Sequence, residues 1–355
     1  MTAFHPEPAW LTPQPLERAS ALPAPFYTHR GTEEIERRQV FGCHWQFAAH
    51  ISQLAAAGDH VVTEVAGVPL LLVRGEDGVL RAFHNVCRHR AGPLATCDGR
   101  GARAFHCRYH GWTYTLDGRL RSAPDMQDAR DFDPAMIRLP EARLAVWQGL
   151  VFVALEDAPP LDAVLDGIAE RIGGGFEDYV FDRRVRYEIA CNWKVYVDNY
   201  LEGYHLPHVH PALNRLLDYR RYVTETAEWY SLQWSPLERT AGPYGAGEAL
   251  YYFVFPNTML NILPGRLQTN RVLPLGVDRC VVEFDYFYAT GSATALAARD
   301  LEFSDAVQRE DIAICEAVQQ RLASGSYFAG RLNPRRERGV HHFHELLRRA
   351  YREAS

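Results

Sequence analysis

The chain has 355 residues, of which 47% are apolar, and its net charge is −6 at pH 7. This length and composition provide a core for one large domain or two moderate ones, and the acidic balance argues against a nucleic-acid-binding surface. The opening MTAFHPEPAW lacks a basic segment followed by an apolar run, and no stretch reaches about eighteen apolar residues. We therefore expect a cytoplasmic protein that does not bind membranes.

The composition and hydrophobic pattern of the sequence change twice along the chain. Residues 1–40 are rich in proline and then charged, which predicts an arm and a short helix. Residues 41–157 contain short β-rich runs such as VPLLLVRG and GWTYTL, separated by Gly, Asp and Pro, which predict a small antiparallel domain. Residues 158–355 combine strand-like runs with the helical segment EFSDAVQREDIAICEAVQQRLASG, which ends at Gly325. The expected fold class is α+β, with a β-rich domain before or within a mixed one.

Cysteine and histidine alternate in a regular way in the first domain. One residue separates Cys87 from His89, and after seventeen residues Cys107 and His110 follow, separated by two residues. Two thiolates and two imidazoles on facing loops are the ligands of a Rieske [2Fe–2S] centre. A structural zinc site uses the same residue types, but zinc fingers usually place both cysteines before both histidines. The alternating order favours the [2Fe–2S] cluster over zinc.

The other cysteines and histidines of this region lack such a pattern. Cys97 lies in mid-loop without a nearby histidine, His106 directly precedes Cys107, and His84 ends a predicted strand. We interpret them as structural. The seven cysteines are an odd and sparse set, which is typical of thiols and metal ligands and not of a disulfide framework. The histidines in the tail VHHFHELL are interpreted as part of an amphipathic terminal helix.

The stretch CRHRAGPLATCDG…FHCRYHGWTY resembles the Rieske domain of the Rieske non-haem iron oxygenases, in their catalytic (α) subunit. The similarity includes Arg90 after the first histidine, the Gly92-Pro93 turn and the HGWTY run. It implies that the Rieske domain stands before or within a helix-grip-like antiparallel-sheet catalytic domain, to which the arm over 1–40 belongs. The whole chain, including FPNTMLNILPGRLQTNRVLPLG and VVEFDYFY, is similar to the choline, glycine-betaine and carnitine monooxygenase branch of the aromatic-ring-hydroxylating dioxygenase family.

A second set of ligand residues lies in CNWKVYVDNYLEGYHLPHVHPALN. Glu202 and His205 are three residues apart, which would place them on one helical face, and His210 follows after Pro207 distorts the helix. The resemblance assigns His205 and His210 as ligands of a mononuclear iron. His208 lies between them and is the alternative to His210.

The third ligand of such an iron should be a carboxylate, because non-haem Fe(II) oxygenases use two histidines and one carboxylate. Asp311 lies within an apolar stripe of the later helix, formed by Val307, Ile314, Val318 and Leu322. A carboxylate that faces a core is costly unless it is paired or bound to a metal. Asp311 is therefore favoured over Glu310, which lies at the edge of the stripe.

The resemblance also implies how electrons arrive. O₂ is activated at the Fe(II), and the family passes electrons between the subunits of a ring, usually a homotrimer. The bridge is the acid just before the first histidine ligand, here Glu202. The chain has no dinucleotide fingerprint and no second cysteine set for a ferredoxin cluster. NAD(P)H should therefore be oxidised by a separate flavin and iron–sulfur reductase.

Members of this branch hydroxylate a carbon next to a quaternary nitrogen, and such a cation is attracted to aromatic faces. The aromatic residues of the region 229–255 are candidates for a cage around such a cation. The favoured candidates are Trp229, Tyr230, Trp234, Tyr251 and Phe253, and the same region also contains Tyr244, Tyr252 and Phe255. Each of them has a core position in a strand as its alternative. A small aromatic substrate would suit the same pocket, so an aromatic-ring-hydroxylating or aryl-demethylating oxygenase is the second hypothesis. An electron-transfer Rieske protein without oxygenase activity is the third.

Overall fold

The structure is a computed structural model that describes residues 3–237, 244–290 and 293–354, without the side chains of 293–295. Its strands are β1 (Gln46–His50), β2 (His60–Val65), β3 (Val68–Arg74), β4 (Leu80–His84), β5 (Phe105–His106), β6 (Thr113–Tyr114), β7 (Leu120–Ser122), β8 (Glu141–Trp147), β9 (Leu150–Ala154), β10 (Tyr179–Ile189), β11 (Val223–Thr226), β12 (Tyr230–Leu237), β13 (Gly247–Val254), β14 (Thr258–Leu263), β15 (Arg266–Gly276) and β16 (Arg279–Ala289). Its α-helices are α1 (Pro25–Thr28), α2 (Thr32–Ile35), α3 (Leu161–Val164), α4 (Ile168–Ile172), α5 (Trp193–Tyr200), α6 (Leu206–Val209), α7 (Pro211–Leu216), α8 (Ala293–Ala323) and α9 (Arg338–Glu353). The prediction of an α+β protein is confirmed.

The chain divides into two compact units. The small unit comprises Phe41–Leu161 and Ile172–Glu177, and the large unit comprises the residues up to Val40, Asp162–Arg171 and the residues from Asp178 onward. The large unit is therefore discontinuous in sequence, and the small unit is inserted into it. No helix in the described part of the chain combines the length and apolar character that a membrane span requires.

Two antiparallel sheets build the small unit. The larger has the strand order β1-β9-β8-β4-β3-β2, and the smaller has the order β5-β6-β7. Alternate residues of β3 enter two different cores, because side chains of a strand point alternately to its two faces. Leu70 and Leu72 pack with β1 and β9, whereas Leu71 and Val73 pack with the cluster that contains both predicted cysteine ligands. The sheet thus supports the loops that carry Cys87 and Cys107.

A seven-stranded antiparallel sheet forms the large unit, in the order β10-β16-β15-β14-β13-β12-β11. Strand β16 is buried along nine consecutive residues, so both of its faces are covered. Helix α5 packs against α8 and β15, while α9 packs against β11 and β12. Helix α8 begins at Ala293, earlier than the segment EFSD in which we expected it, because the preceding residues ATALAARDL are good helix formers.

One buried carboxylate of the arm contacts both α5 and α9. Glu36, which is 3% exposed, pairs with the fully buried Lys194. It also accepts hydrogen bonds from Trp193 Nε1 at 2.7 Å and from the Tyr351 hydroxyl at 2.6 Å. A single side chain of the arm therefore joins α5 to the last helix.

We expect the substitution Glu36→Ala to lower the free energy of unfolding by about 3–5 kcal/mol, because it leaves the Lys194 ammonium buried without its counter-charge. Urea denaturation of the purified protein measures this change. The matched control is Glu34→Ala, which removes an exposed carboxylate that pairs with Arg37 and Arg38 at the surface. Surface pairs contribute little, so this variant should unfold close to the wild type. Equal losses in the two variants would contradict the assignment of Glu36 as a buried anchor.

Candidate metal centres and active site

Two loops of similar geometry carry the Cys–His pairs of the small unit. In each loop the backbone N–H of the fourth residue after the cysteine donates to the cysteine carbonyl, from Ala91 to Cys87 at 3.0 Å and from Gly111 to Cys107 at 2.9 Å. Both donor residues have positive φ angles, of 56° and 74°. Glycine adopts this conformation easily, whereas at Ala91 it costs free energy that the surrounding loop must offset.

The two cysteine side chains lie next to each other in the interior. Cys87 and Cys107 are each 2% exposed, and a Cβ atom added at Gly92 would lie 2.6 Å from the Cys107 Sγ. The Tyr114 hydroxyl lies 3.4 Å from the Cys87 Sγ and accepts a hydrogen bond from the Arg88 N–H at 3.0 Å. Glycine at position 92 is thus required by the close approach of the two loops.

The imidazoles of His89 and His110 complete this cluster. Their ring centroids are 4.5 Å apart, and His89 is stacked on Trp112 at 4.8 Å with an interplanar angle of 9°. The Nδ1 atom of His89 is buried and has no hydrogen-bond partner in the described part of the chain. A buried polar atom without a partner is rare and is accounted for when it binds an ion. Two adjacent thiols, two neighbouring imidazoles and this unpartnered nitrogen fit a Rieske [2Fe–2S] cluster.

The neighbouring candidates are placed elsewhere. Cys97 is exposed, and His106 is hydrogen-bonded through Nδ1 to the Thr113 hydroxyl at 2.7 Å. His84 ends β4, and burial lowers its pKa with a smaller contribution from the charge of Arg88. None of these contacts brings a further ligand atom to the two loops.

The second ligand set lies where two short helices meet. Helix α5 ends at Tyr200, α6 begins directly after His205, and His210 separates α6 from α7. Pro207 belongs to the first turn of α6, where proline is well accommodated, and does not distort a continuous helix. The expectation that Glu202 and His205 share one helical face was therefore wrong, since both lie in the turn between α5 and α6.

The long helix α8 brings Asp311 to these histidines. The Asp311 Oδ1 lies 2.9 Å from the His210 Nε2 and 3.9 Å from the His205 Nε2. One ligand atom of each of the three residues lies within 4.8 Å of the other two. The Asn199 side-chain amide donates to the same Asp311 oxygen at 2.6 Å and holds the carboxylate in place. Two imidazoles and one carboxylate in contact fit the ligand set of a non-haem iron with open positions.

Each of the two histidines is supported by a carboxylate on its other nitrogen. The His205 Nδ1 lies 2.6 Å from the Glu202 Oε1, and the His210 Nδ1 lies 2.7 Å from the Glu310 Oε2. Burial lowers the pKa of His210, but the hydrogen bonds and charges of Asp311 and Glu310 outweigh it and raise the pKa above its usual value. Such outer carboxylates fix the orientation of an imidazole, so that both Nε2 atoms point toward the Asp311 carboxylate.

The structure also distinguishes between the alternatives that the sequence left open. His208 is exposed and lies outside the cluster, and Glu310 contacts the Nδ1 of His210 at the side opposite Asp311. The stripe around Asp311 is not a buried core stripe, because Ile314 and Val318 are 37% and 40% exposed. Asp311 is only partly buried for a different reason, namely that it lines a cavity.

We expect Glu310→Gln to weaken iron binding by roughly 10- to 100-fold while leaving the iron–sulfur spectrum unchanged, since loss of an outer carboxylate typically has this effect on a metal site. Titration of apo-protein with Fe(II) measures the affinity. Glu316→Gln, on the same helix α8, serves as the control, because Glu316 accepts from the backbone N–H of Ala190 and does not contact either histidine. Unchanged iron affinity in Glu310→Gln would show that Glu310 does not support His210.

A cavity of about 130 Å³ opens beside these three residues. Its wall contains seven aromatic rings in addition to polar side chains, and these rings are Tyr196, Tyr200, Tyr222, Tyr244, Tyr251, Phe284 and Phe303. An engineered cavity of about 150 Å³ accommodates benzene, so this cavity suits a molecule of similar size.

Only one of the five predicted cage residues, Tyr251, lines this cavity. Tyr230 and Trp234 alternate along β12 with Gln233, which does line it, so they point to the other face of the sheet. There Tyr230 packs on Tyr252, and the Arg171 guanidinium lies 5.6 Å from the Trp234 ring centroid.

The other two predicted cage residues, Trp229 and Phe253, pack near α9. Trp229 lies under the Arg349 guanidinium at 4.3 Å, and Phe253 packs on Phe343 with ring centroids 5.4 Å apart. Their assignment to the pocket wall was wrong, as it was for Tyr230 and Trp234. The alternative interpretation, a structural position in or beside a strand, describes all four.

Several cavity residues were missed in the sequence. Tyr196, Asn199 and Tyr200 are spaced i, i+3 and i+4 and share one face of α5 just before Glu202. That spacing was a usable signal. Phe284 of β16, Phe303 of α8 and Arg266 of β15 carried no local signal, because only the packing of the sheet on α8 brings them to one cavity.

Comparisons with known proteins agree with this geometry. The family described as "Rieske [2Fe-2S] domain" matches residues 44–142, and the family described as "Ring hydroxylating alpha subunit (catalytic domain)" matches residues 176–353. The chain is 38% identical to the chloroplastic choline monooxygenase of Arabidopsis thaliana over 94% of this chain and 83% of that protein. It is 31% identical to the carnitine monooxygenase oxygenase subunit of Escherichia coli (strain K12), over 95% of each chain.

Solved structures give the same result. The quaternary ammonium Rieske monooxygenase CntA in complex with L-carnitine matches with a TM-score of 0.85 and 28% identity, over 96% of this chain and 99% of that one. Naphthalene 1,2-dioxygenase from Rhodococcus sp. matches with a TM-score of 0.76 at 19% identity, over 93% of this chain and 94% of that one, and therefore shares the fold. From the two families, the relatives and the shared fold, it follows that this chain is an enzyme of the Rieske non-haem iron oxygenase family and corresponds to its catalytic (α) subunit.

Proposed function

We propose that this chain is the oxygenase component of a multicomponent monooxygenase that hydroxylates a quaternary ammonium compound such as choline, a betaine or carnitine. The net reaction inserts one atom of O₂ into a C–H bond and reduces the other atom to water with two electrons and two protons. The electrons come from NAD(P)H through a separate flavin and iron–sulfur reductase. Hydroxylation of a carbon bound to nitrogen gives a product whose C–N bond breaks with loss of a proton, which releases the amine together with a carbonyl compound, formaldehyde when that carbon was a methyl group.

The proposed cofactor ligands follow from the two clusters. Cys87, His89, Cys107 and His110 would hold the [2Fe–2S] cluster, and His205, His210 and Asp311 would hold the Fe(II). When bound, the iron supplies O₂ activation and the cluster supplies single electrons. The protein itself orients the ligands, through Asn199 and the two outer carboxylates, and surrounds the reacting carbon with apolar walls that limit the access of water.

Glu202 is the proposed bridge for electrons from a neighbouring subunit. It lines the active-site cavity and also a second, outer cleft of about 760 Å³, which the large unit forms next to it. The side chain is 12% exposed and contacts His205 directly. Exposed apolar residues of this cleft, Ile314 and Val318, suit contact with another subunit. These observations support a contact between subunits at Glu202, and the resemblance to the family implies that the assembly is a homotrimer.

The substrate class rests on one observation above all, which is that seven aromatic rings share a cavity with the three candidate iron ligands. A quaternary ammonium group cannot donate hydrogen bonds and is held by aromatic faces. No lysine lines the described part of the cavity, and Glu202 and Asp311 make its iron side acidic. The names of the relatives, choline and carnitine monooxygenases, support the same class.

Substrate-dependent oxygen uptake tests the proposal. Iron-loaded protein is combined with a surrogate reductase and NADH, and choline, glycine betaine and carnitine are compared with small aromatic acids. We expect uptake together with a hydroxylated or demethylated product from at least one quaternary amine. Uptake with aromatic acids alone would reject the substrate class and favour an aromatic-ring-hydroxylating or aryl-demethylating oxygenase. Absence of any uptake by protein with both metal sites loaded would favour an electron-transfer role.

A further inference from the structure

We infer that Arg266 binds a carboxylate of the substrate, at a site in the cavity away from the iron ligands. Combined with the proposed function, on which this part of the inference rests, the preferred substrate is a zwitterion that carries a carboxylate as well as the quaternary nitrogen. A betaine-like compound is then favoured over choline.

Arg266 has unused hydrogen-bonding capacity. The residue begins β15, lines the cavity and is 3% exposed. Its Nε donates to the Asp300 Oδ2 at 3.0 Å. Neither of its two terminal amino groups has a hydrogen-bond acceptor among the residues that the structure describes. A guanidinium carries five N–H donors in a fork that matches a carboxylate, so four donors are left for a ligand.

Asp300 orients the Arg266 guanidinium but accepts a hydrogen bond from only one of its nitrogens. The Asp300 carboxylate is fully buried and accepts from the Tyr244 hydroxyl at 2.5 Å and from the Tyr288 hydroxyl at 2.7 Å, in addition to Arg266. The two tyrosine hydroxyls therefore occupy positions on the Asp300 carboxylate that the terminal amino groups of Arg266 could otherwise use. The result is a buried guanidinium on the cavity wall that makes one side-chain hydrogen bond and lies 5.8 Å from the ring centroids of Tyr244 and Tyr286.

Two other donors of the cavity also lack an acceptor within the described residues. The Tyr251 hydroxyl has no hydrogen-bond partner there, and burial raises the pKa of Tyr251 to about 12, so that it stays protonated. The Gln308 Nε2 is buried without a partner, while the Oε1 of the same amide accepts from Tyr196. Donors without acceptors in a buried site are costly, and an anionic group would satisfy them.

The opposite requirement holds where the iron ligands and their carboxylates lie. Asp311 and Glu202 place carboxylates there, and the aromatic rings of the cavity wall favour a cation without N–H groups. Asp311 follows Asp300, the partner of Arg266, by eleven residues or about three turns of α8. The cavity thus has acceptors at the iron ligands and surplus donors at Arg266. Its volume of about 130 Å³ favours a small zwitterion in which the two charges are only a few bonds apart.

Four compounds of similar shape allow the contribution of each charge to binding to be measured separately. Glycine betaine carries both charges, choline carries only the cation, 3,3-dimethylbutanoate carries only the carboxylate, and 3,3-dimethylbutan-1-ol carries neither. Their binding to the metal-loaded protein is measured by calorimetry, and kcat and KM of oxygen uptake are determined for the two ammonium compounds. We expect glycine betaine to bind roughly 10- to 100-fold more tightly than choline, since hydrogen bonds to charged groups have this effect.

Two variants test the assignment to Arg266. The double variant Arg266→Gln/Asp300→Asn removes both members of the ion pair, so that no charge is left buried alone. It should abolish the preference for glycine betaine, mainly through KM. Tyr251→Phe deletes a single hydroxyl but keeps the ring, and it should reduce the preference for glycine betaine severalfold. Iron content and the cluster spectrum show that both variants are correctly folded and loaded.

The outcomes distinguish this inference from the proposed function. Choline binding as tight as that of glycine betaine in the wild type, or a preference that persists in both variants, would overturn the carboxylate site even if choline is hydroxylated. Binding of 3,3-dimethylbutanoate that is lost in the double variant supports the carboxylate site. If neither ammonium compound then supports oxygen uptake, the proposed function fails and the carboxylate site remains.

Discussion

Asp311→Ala is expected to empty the mononuclear iron site and abolish oxygenation while the protein keeps its iron–sulfur cluster. The substitution removes the carboxylate of the cluster His205, His210 and Asp311, and with it a negative charge that faces both Nε2 atoms. Two neutral imidazoles alone bind Fe(II) weakly. Iron analysis should fall from about three to about two irons per chain, with the Rieske absorbance retained.

A second carboxylate of α8 provides the control for this experiment. Asp305 pairs with Arg309 at 2.9 Å and accepts from the Tyr187 hydroxyl at 3.0 Å, without contact to either histidine. Asp305→Ala should therefore keep all of its iron and most of its oxygenase activity. If Asp311→Ala retained the iron content of the Asp305 variant, the choice of Asp311 as the third ligand would be wrong.

The second large effect concerns Glu202. We expect Glu202→Gln to reduce coupled turnover far beyond the 10- to 100-fold that loss of an outer carboxylate causes, even when Fe(II) is saturating. The carboxylate both holds the Nδ1 of His205 and stands between the cavity and the outer cleft. Loss of the first role alone can be reversed by added iron, whereas loss of the bridge cannot.

Glu310→Gln is the matched comparison, because Glu310 makes the same contact with His210 but does not line the outer cleft. Rapid mixing of the reduced protein with O₂ and substrate measures the rate at which the cluster is oxidised. This rate should fall only in the Glu202 variant. Similar rates in the two iron-saturated variants would reduce Glu202 to a positioning residue for His205.

Co-assembly of two inactive variants tests whether the electron path crosses subunits. Asp311→Ala lacks the third candidate iron ligand, and His110→Ala lacks an exposed candidate ligand of the cluster. Each should be inactive alone, yet mixed oligomers should regain activity if electrons pass from one chain to the next. Mixed oligomers that remain inactive would place the path within one chain.

Local spacing made the Rieske motif recognisable in the sequence. Cys87, His89, Cys107 and His110 lie on two short loops whose geometry is set within a few residues, by the hydrogen bonds back to each cysteine carbonyl. The order Cys-x-His and Cys-x-x-His therefore carries most of the necessary information. What the spacing could not give is the stacking of His89 on Trp112 or the buried state of its Nδ1.

The active-site cavity depends on contacts between distant segments, and there the sequence was less informative. A run of aromatic residues does not reveal which face of a strand is the inner one, since one step along the strand reverses the direction of a side chain. Tyr251 and Tyr252 are neighbours, yet only Tyr251 lines the cavity. Ile314 and Val318 looked like core residues because a helical period cannot distinguish a core from an exposed apolar cleft.

The buried contact of Glu36 with Lys194 and Tyr351 has a consequence for the order of events during synthesis on the ribosome. The arm emerges first, but its partners lie in α5 and in the last helix, so the large unit cannot be completed until α9 has left the exit tunnel. Most of the small unit is continuous from Phe41 to Leu161 and can fold while the rest is still being translated. The candidate cluster ligands are thus translated and folded early, whereas the candidate iron ligands are complete only when Asp311 on α8 has been translated.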